Sequence, residues 1–486
     1  MQAKTIRDAQ CEKPDLKTKV WFQPLIDIVG EEHVLTSFPD KLAYGRDRWP
    51  FGNMRYRFGN LPGSLPIAVI MPGSTEEVCS ILRLMHKERQ PVIPYGAGSG
   101  VLGGAAALDE GVVTIDMKRL NKVQDLDEVS KLVTVQGGMN GERFESFLNA
   151  RRLTAGHLPQ SLHMSTVGGW VACRGAGQAS SRYGKIEDIV AGLKVVLPDG
   201  QLVTIKPTPR RATGPGLMEL FIGSEGTLGM IVEVTLRVWE YPEKEIVHGV
   251  GFPDYVSGLE ALRLITQAGY RPAITRLYDV PESKNRIEKY SDYNQLPCLG
   301  MLSFVGNPEM AALEERKCIA IAESVGGRVC SSEPVHDWLR HRFESLSAKP
   351  VSEGKLMDTI EMSAKWSAMP AVYENTREAV LSVNPEAHIG AHWSHVYPDG
   401  ACLYLTFIIP GGDEETAARE HGLIWDKVMQ ACMREGGSIS HHHGVGYMRG
   451  KYMGEELGVA GMSALQLIKN ALDPNHIMNP GKLGLR

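Results

Sequence analysis

Three adjacent histidines, His441, His442 and His443, sit inside Ser438-Ile-Ser-His-His-His-Gly-Val-Gly446. Imidazole is the side chain that most readily exchanges a proton near neutrality. Consecutive residues point in different directions on any regular backbone, so at most two of these rings converge on one site. The run suits acid/base or polarising work, and it equally suits a solvated loop that picks up metal by accident. Tyr404, in Tyr397-Pro-Asp-Gly-Ala-Cys-Leu-Tyr-Leu-Thr-Phe, adds a second proton carrier. A phenol with a pKa of about 10 accepts a proton near neutrality only if its neighbours lower that value.

A second kind of chemistry belongs to the backbone. Gly96-Ala97-Gly98-Ser99-Gly100-Val101-Leu102-Gly103-Gly104 follows the strand-like Pro91-Val-Ile-Pro94-Tyr. Glycine reaches positive φ freely, so such a loop can turn several N–H groups onto one anion. It lacks the Gly-Lys-Ser/Thr ending of a P-loop, and no helix pattern follows it as a Rossmann turn requires. Two more small-residue segments follow, Pro159 to Gly177 and Gly223-Ser-Glu225-Gly226-Thr-Leu-Gly229-Met-Ile231. Loops of this kind in one lobe suit a pyrophosphate held from both sides.

The elements that must position these groups are legible in outline. Ser74 and Glu77 form a capping box, and Val78, Ile81, Leu82 and Met85 follow at helical spacing, so a helix is predicted from there to near Arg89. Strand signals lie at Val112–Asp116, Leu132–Val135, Leu193–Leu197, Leu202–Ile205 and Met230–Val238, with Pro198-Asp199-Gly200 as a hairpin turn. Alternation stops at Tyr241–Glu245, which marks a boundary. Beyond it, helices are expected near 255–268, 309–325 and 370–383, and strands near 299–305 and 403–409. The predicted division is an N-terminal helical segment (1–60), a first domain (61–240), a second domain (241–435) and a closing segment (436–486) that completes the site and packs on the first.

Composition bounds the function. A chain of 486 residues with 43% hydrophobic content exceeds one ordinary core. A formal charge of -5 from interspersed acids and bases gives no footprint for a nucleic acid. The eight cysteines form neither a zinc knuckle nor a disulfide framework, and the first residues lack the apolar core of a signal peptide, so a cytoplasmic location is expected. Val20, Trp21, Phe22, Leu25, Ile26, Ile28 and Val29 make an amphipathic stretch that either packs on the core or touches a membrane peripherally.

With Tyr183-Gly184-Lys-Ile-Glu187-Asp188, the three small-residue segments resemble the FAD-binding domain of the vanillyl-alcohol oxidase/p-cresol methylhydroxylase (PCMH) superfamily over about residues 65–240. The resemblance implies an α+β fold of two lobes, a PCMH-type FAD-binding domain plus an α/β cap whose mixed or antiparallel sheet is flanked by helices. It implies FAD contacts from Pro94, Gly96, Ala97, Gly98, Ser99, Gly100, Val101, Gly103 and Gly104 around the pyrophosphate. Ser165, Thr166, Gly168, Gly169 and Ser180 would line the flavin path and Ile231 would lie near the adenine or ribose, with Pro159, Ala172, Ala176, Tyr183, Gly184, Glu225 and Gly226 completing the cofactor contacts. Covalent members tether the flavin through a histidine or cysteine near these loops. Neither lies in the first loop here, and His157, His163 and Cys173 fall outside the expected pattern, so non-covalent FAD is expected.

The histidine run resembles the Ser-x-Ser-His-His-His-Gly-Val-Gly of the alkyldihydroxyacetonephosphate synthases. Thr275-Arg276-Leu-Tyr-Asp279, Pro209-Arg210-Arg-Ala-Thr-Gly-Pro215, Glu361 and Trp366 also match that branch. The resemblance implies ether-lipid chemistry on a lipid-like small molecule, in which a fatty alcohol replaces the acyl chain of acyl-dihydroxyacetone phosphate through a flavin N5 adduct. Tyr404 would be the acid/base, His441, His442 and His443 its partners, and Arg276 and Arg210 the phosphate clamps; no metal ligand is assigned, and a homodimer is expected. The 2-hydroxyacid dehydrogenases of the superfamily carry a Glu-His pair and a Gly-Asp-Gly-Asn-x-His motif that build a metal site. Here His442 replaces the acid and Tyr404 the histidine. Asn479-Pro-Gly-Lys482 is more typical of those dehydrogenases, and His392 and His395 are further metal-ligand types, so an FAD-dependent dehydrogenase or oxidase of a 2-hydroxyacid or other alcohol stands as the alternative.

Overall fold

A computed structural model describes residues 4–11, 15–344, 350 and 352–485. The helix Thr75–Lys87 starts where the capping pair sets it. Ser74 Oγ accepts the Glu77 N–H at 3.1 Å, and Glu77 in turn accepts the Gly73 N–H at 2.7 Å. Its apolar stripe packs on a four-stranded sheet of β1 (Val34–Leu35), β2 (Ala68–Ile70), β3 (Val92–Tyr95) and β4 (Val113–Asp116), in the order β1-β2-β4-β3. Strands β2, β4 and β3 are parallel, and β3, at one edge of the sheet, runs straight into the Gly96 loop.

A second, antiparallel sheet combines β5 (Val123–Asp127), β6 (Leu132–Gln136), β8 (Val190–Val196), β9 (Leu202–Ile205) and β10 (Met230–Arg237) in the order β5-β6-β10-β8-β9. The expected hairpin is its β8–β9 edge. A short ladder joins β7 (Leu153–Thr154) to β11 (Trp239–Glu240). The amphipathic stretch near the N-terminus packs one face on the core. Trp21, Leu25 and Val29, around the helix Phe22–Val29, bury in the same cluster as Val78 and Ile81, whereas Val20 is exposed and Phe22, Ile26 and Ile28 are half-buried. No helix among the described residues is long and apolar enough to cross a membrane.

The rest of the chain builds one seven-stranded sheet. It holds β12 (Lys244–Phe252), β13 (Ile274–Tyr278), β14 (Cys298–Gly306), β15 (Arg328–Cys330), β16 (Leu356–Lys365), β17 (His388–Val396) and β18 (Gly400–Ile409). The order is β15-β12-β14-β13-β17-β18-β16, with every pair antiparallel. Helices Tyr255–Gln267, Pro308–Ser324 and Met369–Leu381, close to the predicted spans, and Glu414–Arg434, which the sequence reading did not mark, bury their apolar faces in its core.

Register matters most here. Glu361 lies opposite Tyr404, Tyr404 opposite His392, and His392 opposite Tyr278, so one row crosses β16, β18, β17 and β13. Residues directly opposite in an antiparallel ladder share a face, which places all four side chains on the same side of the sheet. The end of the chain returns to the first lobe. Asn479 N–H donates to Val92 O, its Nδ2 donates to Gly104 O at 3.0 Å, and Lys482 Nζ reaches Ala106 O at 3.2 Å.

Candidate active site

A cavity of about 740 Å³ is lined by both the glycine loops and the face of the seven-stranded sheet that carries this row. On the loop side the glycines lie tightly against neighbouring side chains and backbone. A Cβ on Gly96 would collide with Thr166 Oγ1, one on Gly168 would lie 2.7 Å from Gly137 O, and one on Gly226, at φ +74°, would lie 2.7 Å from Pro94. Gly100 faces open space, where a Cβ would meet only Asp47 Oδ2 at 3.7 Å. The result is a side-chain-free trough that continues into the cavity, which fits the diphosphate of a dinucleotide.

Most of the residues expected at the cofactor line this cavity: Pro94, Gly96 to Val101, Gly104, Pro159, Thr166, Gly168, Gly169, Ala172, Ala176, Glu225, Gly226 and Ile231. Five expected contacts stand elsewhere. Gly103 packs between Trp49 and Tyr447, Ser165 accepts the Trp170 indole N–H, and Ser180 pairs with His395 Nδ1 at 2.6 Å. Tyr183 rests on Trp239 beside a separate cleft, and Gly184 turns at φ +90° against Asp188. These residues shape the walls behind the cavity.

On the sheet side, Tyr404 stacks on His392 at 4.7 Å between ring centroids, with His443 at 5.5 Å and His442 at 6.0 Å. His442 and His443 line the cavity, whereas His441 turns back so that its Nε2 meets Tyr397 Oη at 2.8 Å. His392 and His395 are three positions apart and would face opposite ways on a regular strand. A β-bulge at His395, at φ +54°, breaks the alternation and lets both rings line the cavity.

Burial holds these imidazoles neutral. His392, His441 and His442 are pushed well below the ordinary value, His395 falls to about 3, and His443 is lowered although Glu361 opposes the shift. Tyr404 goes the other way. Burial raises it to about 12 against the hydrogen bond it gives Thr359 at 3.2 Å, so the neighbouring rings do not turn it into a base as the sequence reading required.

Arg276 extends from β13 into the cavity with Nη2 2.5 Å from His392 Nε2, and its buried Nε has no hydrogen-bond partner. Arg210 does not join it. Residues 206–217 form an exposed stretch outside the cavity, so the second expected clamp is absent from the site. The guanidinium that does lie near is Arg286, 4.5 Å over the Tyr278 ring and ion-paired with Glu282 at 3.4 Å. Arg48 and Arg57, from the segment between β1 and β2, also reach the cavity. Nothing in their local sequence marks these three, because only the tertiary fold brings them there.

Among the described residues, two donor sets have the spacing of a metal site, His395/His441/His442 and Glu361/Cys402/His442, each with ligand atoms within 4.8 Å of one another. Of the candidate tethers, His157 and Cys173 line the cavity, while His163 is exposed and pairs with Glu142. The Cys173 thiol is pushed up to about 12 by burial, which leaves it a poor nucleophile.

Comparison with known proteins agrees with this geometry. A model of the FAD binding domain matches residues 66–206, and a model of the FAD linked oxidases, C-terminal domain, matches residues 241–483. The uncharacterized FAD-linked oxidoreductase YgcU of Escherichia coli O157:H7 is 31% identical over 474 residues, 94% of this chain and 97% of that one. Alkyldihydroxyacetonephosphate synthase of Trypanosoma brucei brucei is 28% identical, covering 95% of this chain and 80% of its own. A probable mitochondrial D-lactate dehydrogenase of Danio rerio is also 28% identical, covering 86% and 84%. A solved alkyldihydroxyacetonephosphate synthase superposes with a TM-score of 0.81 at 23% identity, covering 98% of this chain and 87% of that one, which shows the shared fold. The chain therefore belongs to the FAD-linked oxidase family, an enzyme of PCMH-type fold whose cofactor is FAD.

Proposed function

We propose that the chain is a transferase like the alkyldihydroxyacetonephosphate synthases, exchanging the acyl chain of an acylated dihydroxyacetone phosphate for a fatty alcohol in ether-lipid synthesis. The observation that carries this reading is the apolar lining of the cavity beyond the reacting groups. Along β16 the face that holds Glu361 continues through Thr359 to Met357, and Met54, Leu356 and Met357 together give the cavity an apolar wall beyond the reacting groups. Such a wall suits a hydrocarbon chain.

Residues Gly96 to Val101, Thr166, Gly168 and Gly169 would hold the pyrophosphate of FAD without a covalent tether. Bound FAD supplies an electrophilic ring that accepts a substrate carbon or a hydride. The protein's part is to bind, orient and move protons. Arg276 offers an unneutralised guanidinium with a free Nε to the substrate phosphate. Of the two neutral imidazoles that face the cavity, His443 is the better proton acceptor for the substrate carbon, because Glu361 partly offsets the effect of burial there, and His442 lies beside it. Tyr404, protonated up to about pH 12, donates a hydrogen bond or a proton to an oxygen of the substrate.

The test is anaerobic incubation with acyl-dihydroxyacetone phosphate and labelled hexadecanol. Ether product and free fatty acid should form together with no electron acceptor present. The competing reading, a 2-hydroxyacid dehydrogenase, draws on the His392/His395 pair; it would be supported by acceptor-dependent turnover of D-lactate with no ether product.

A further inference from the structure

Glu361 is fully buried on β16, opposite Tyr404. Its carboxylate accepts the backbone N–H groups of all three histidines in the run, His441 at 2.5 Å, His442 at 3.3 Å and His443 at 2.9 Å. Arg449, equally buried, donates to the same carboxylate at 2.6 Å, to the main-chain carbonyl of Glu361 at 2.7 Å and to Gly444 O at 2.8 Å. The histidines themselves lie in neither helix nor strand, so no ladder fixes their backbone. One carboxylate takes the place of that ladder.

A buried ion pair is a poor device for stability alone, because desolvation offsets much of its attraction. Its value here is geometric. We propose that Glu361, clamped by Arg449, is a positioning residue that aims His442 and His443 at the cavity by capturing the backbone of the loop that carries them. The inference rests on the reading that these two imidazoles face the reacting atoms. Glutamine at this position keeps the volume and loses the function, since its amide N–H groups would face the donors of the loop and of Arg449.

The experiment measures histidine exposure in the FAD-loaded protein, separately from turnover. Carbethoxylation by diethyl pyrocarbonate, mapped by mass spectrometry, should run at least about fivefold faster at His442 and His443 in E361Q than in the unaltered chain, a local opening. The exposed His336 and His341 should be unaffected and serve as references. In the same variant kcat should fall about a hundredfold with KM within about twofold, as a displaced catalytic group predicts. E361D keeps the charge, and should recover part of both effects; it also serves if E361Q does not fold. Unchanged modification of His442 and His443 in both variants overturns the positioning role. Faster modification with full turnover would keep that role and instead remove the two imidazoles from the proposed chemistry.

Discussion

The two sides of the cavity are built by opposite means. On the loop side the working surface is backbone, made of three short segments whose small residues let the chain close upon itself at Gly96, Gly168 and Gly226. On the sheet side it is side chains, gathered from β13, β16, β17, β18 and the His441 loop into one row and its surroundings. A backbone site is local in sequence and tolerates little at each position. A side-chain site is distributed, and depends on register and on buried supports such as Glu361 and Arg449.

This contrast can be broken or sharpened by substitution. The largest effect is expected on the loop side: Gly226→Val places a branched side chain at positive φ against Pro94, and the purified protein should lose its flavin, with FAD affinity down about a hundredfold or more. Absorbance and FAD content measure this directly. Arg276→Met should keep the flavin and lower kcat/KM for a phosphate-bearing substrate by about a hundredfold or more, because a desolvated anion loses its partner. Tyr404→Phe should also keep the flavin and cost about tenfold to a hundredfold in kcat. The pH optimum should not move, since the phenol stays protonated to about pH 12.

A smaller effect is expected on stability against pH. The sheet-side imidazoles, together with His157 at about 3, have folded pKa values below that of free imidazole. The unfolded chain therefore binds more protons below pH of about 6.5, so stability is complete above that value and is lost as the pH falls. Melting temperatures at pH 7.5, 6 and 5 should be flat above neutrality and then decline, and His157→Leu should soften the decline. The smallest effect is expected for Arg210→Ala, which lies in an exposed stretch away from the cavity and should change kcat/KM by no more than about twofold.

What could be read before the structure follows the same division. The helix Thr75–Lys87, the β8–β9 hairpin and the glycine loops are legible because capping, turn chemistry and conformational freedom are local properties. The meeting of Arg276, Tyr404 and the histidines is not, because nothing local relates residues that lie dozens to more than a hundred positions apart; a resemblance in motifs stood in for the missing register. Where motif stood without register, as at Arg210, the expectation placed a side chain in a site it does not reach. Arg286 shows the reverse, a helix residue of ordinary appearance that the fold turns into the cavity. The raised Tyr404 has the same origin, since burial is a property of the whole lobe.

The central claim is that this cavity handles a phosphate-bearing lipid without net transfer of electrons to an acceptor. It is tested most directly by anaerobic mixing of the flavin-loaded protein with D-lactate, and separately with acyl-dihydroxyacetone phosphate, while following flavin absorbance at about 450 nm. The account predicts an unchanged spectrum with D-lactate, and with the acyl substrate a change accompanied by release of fatty acid. Lasting bleaching by D-lactate, with no fatty acid released from the acyl substrate, would contradict it.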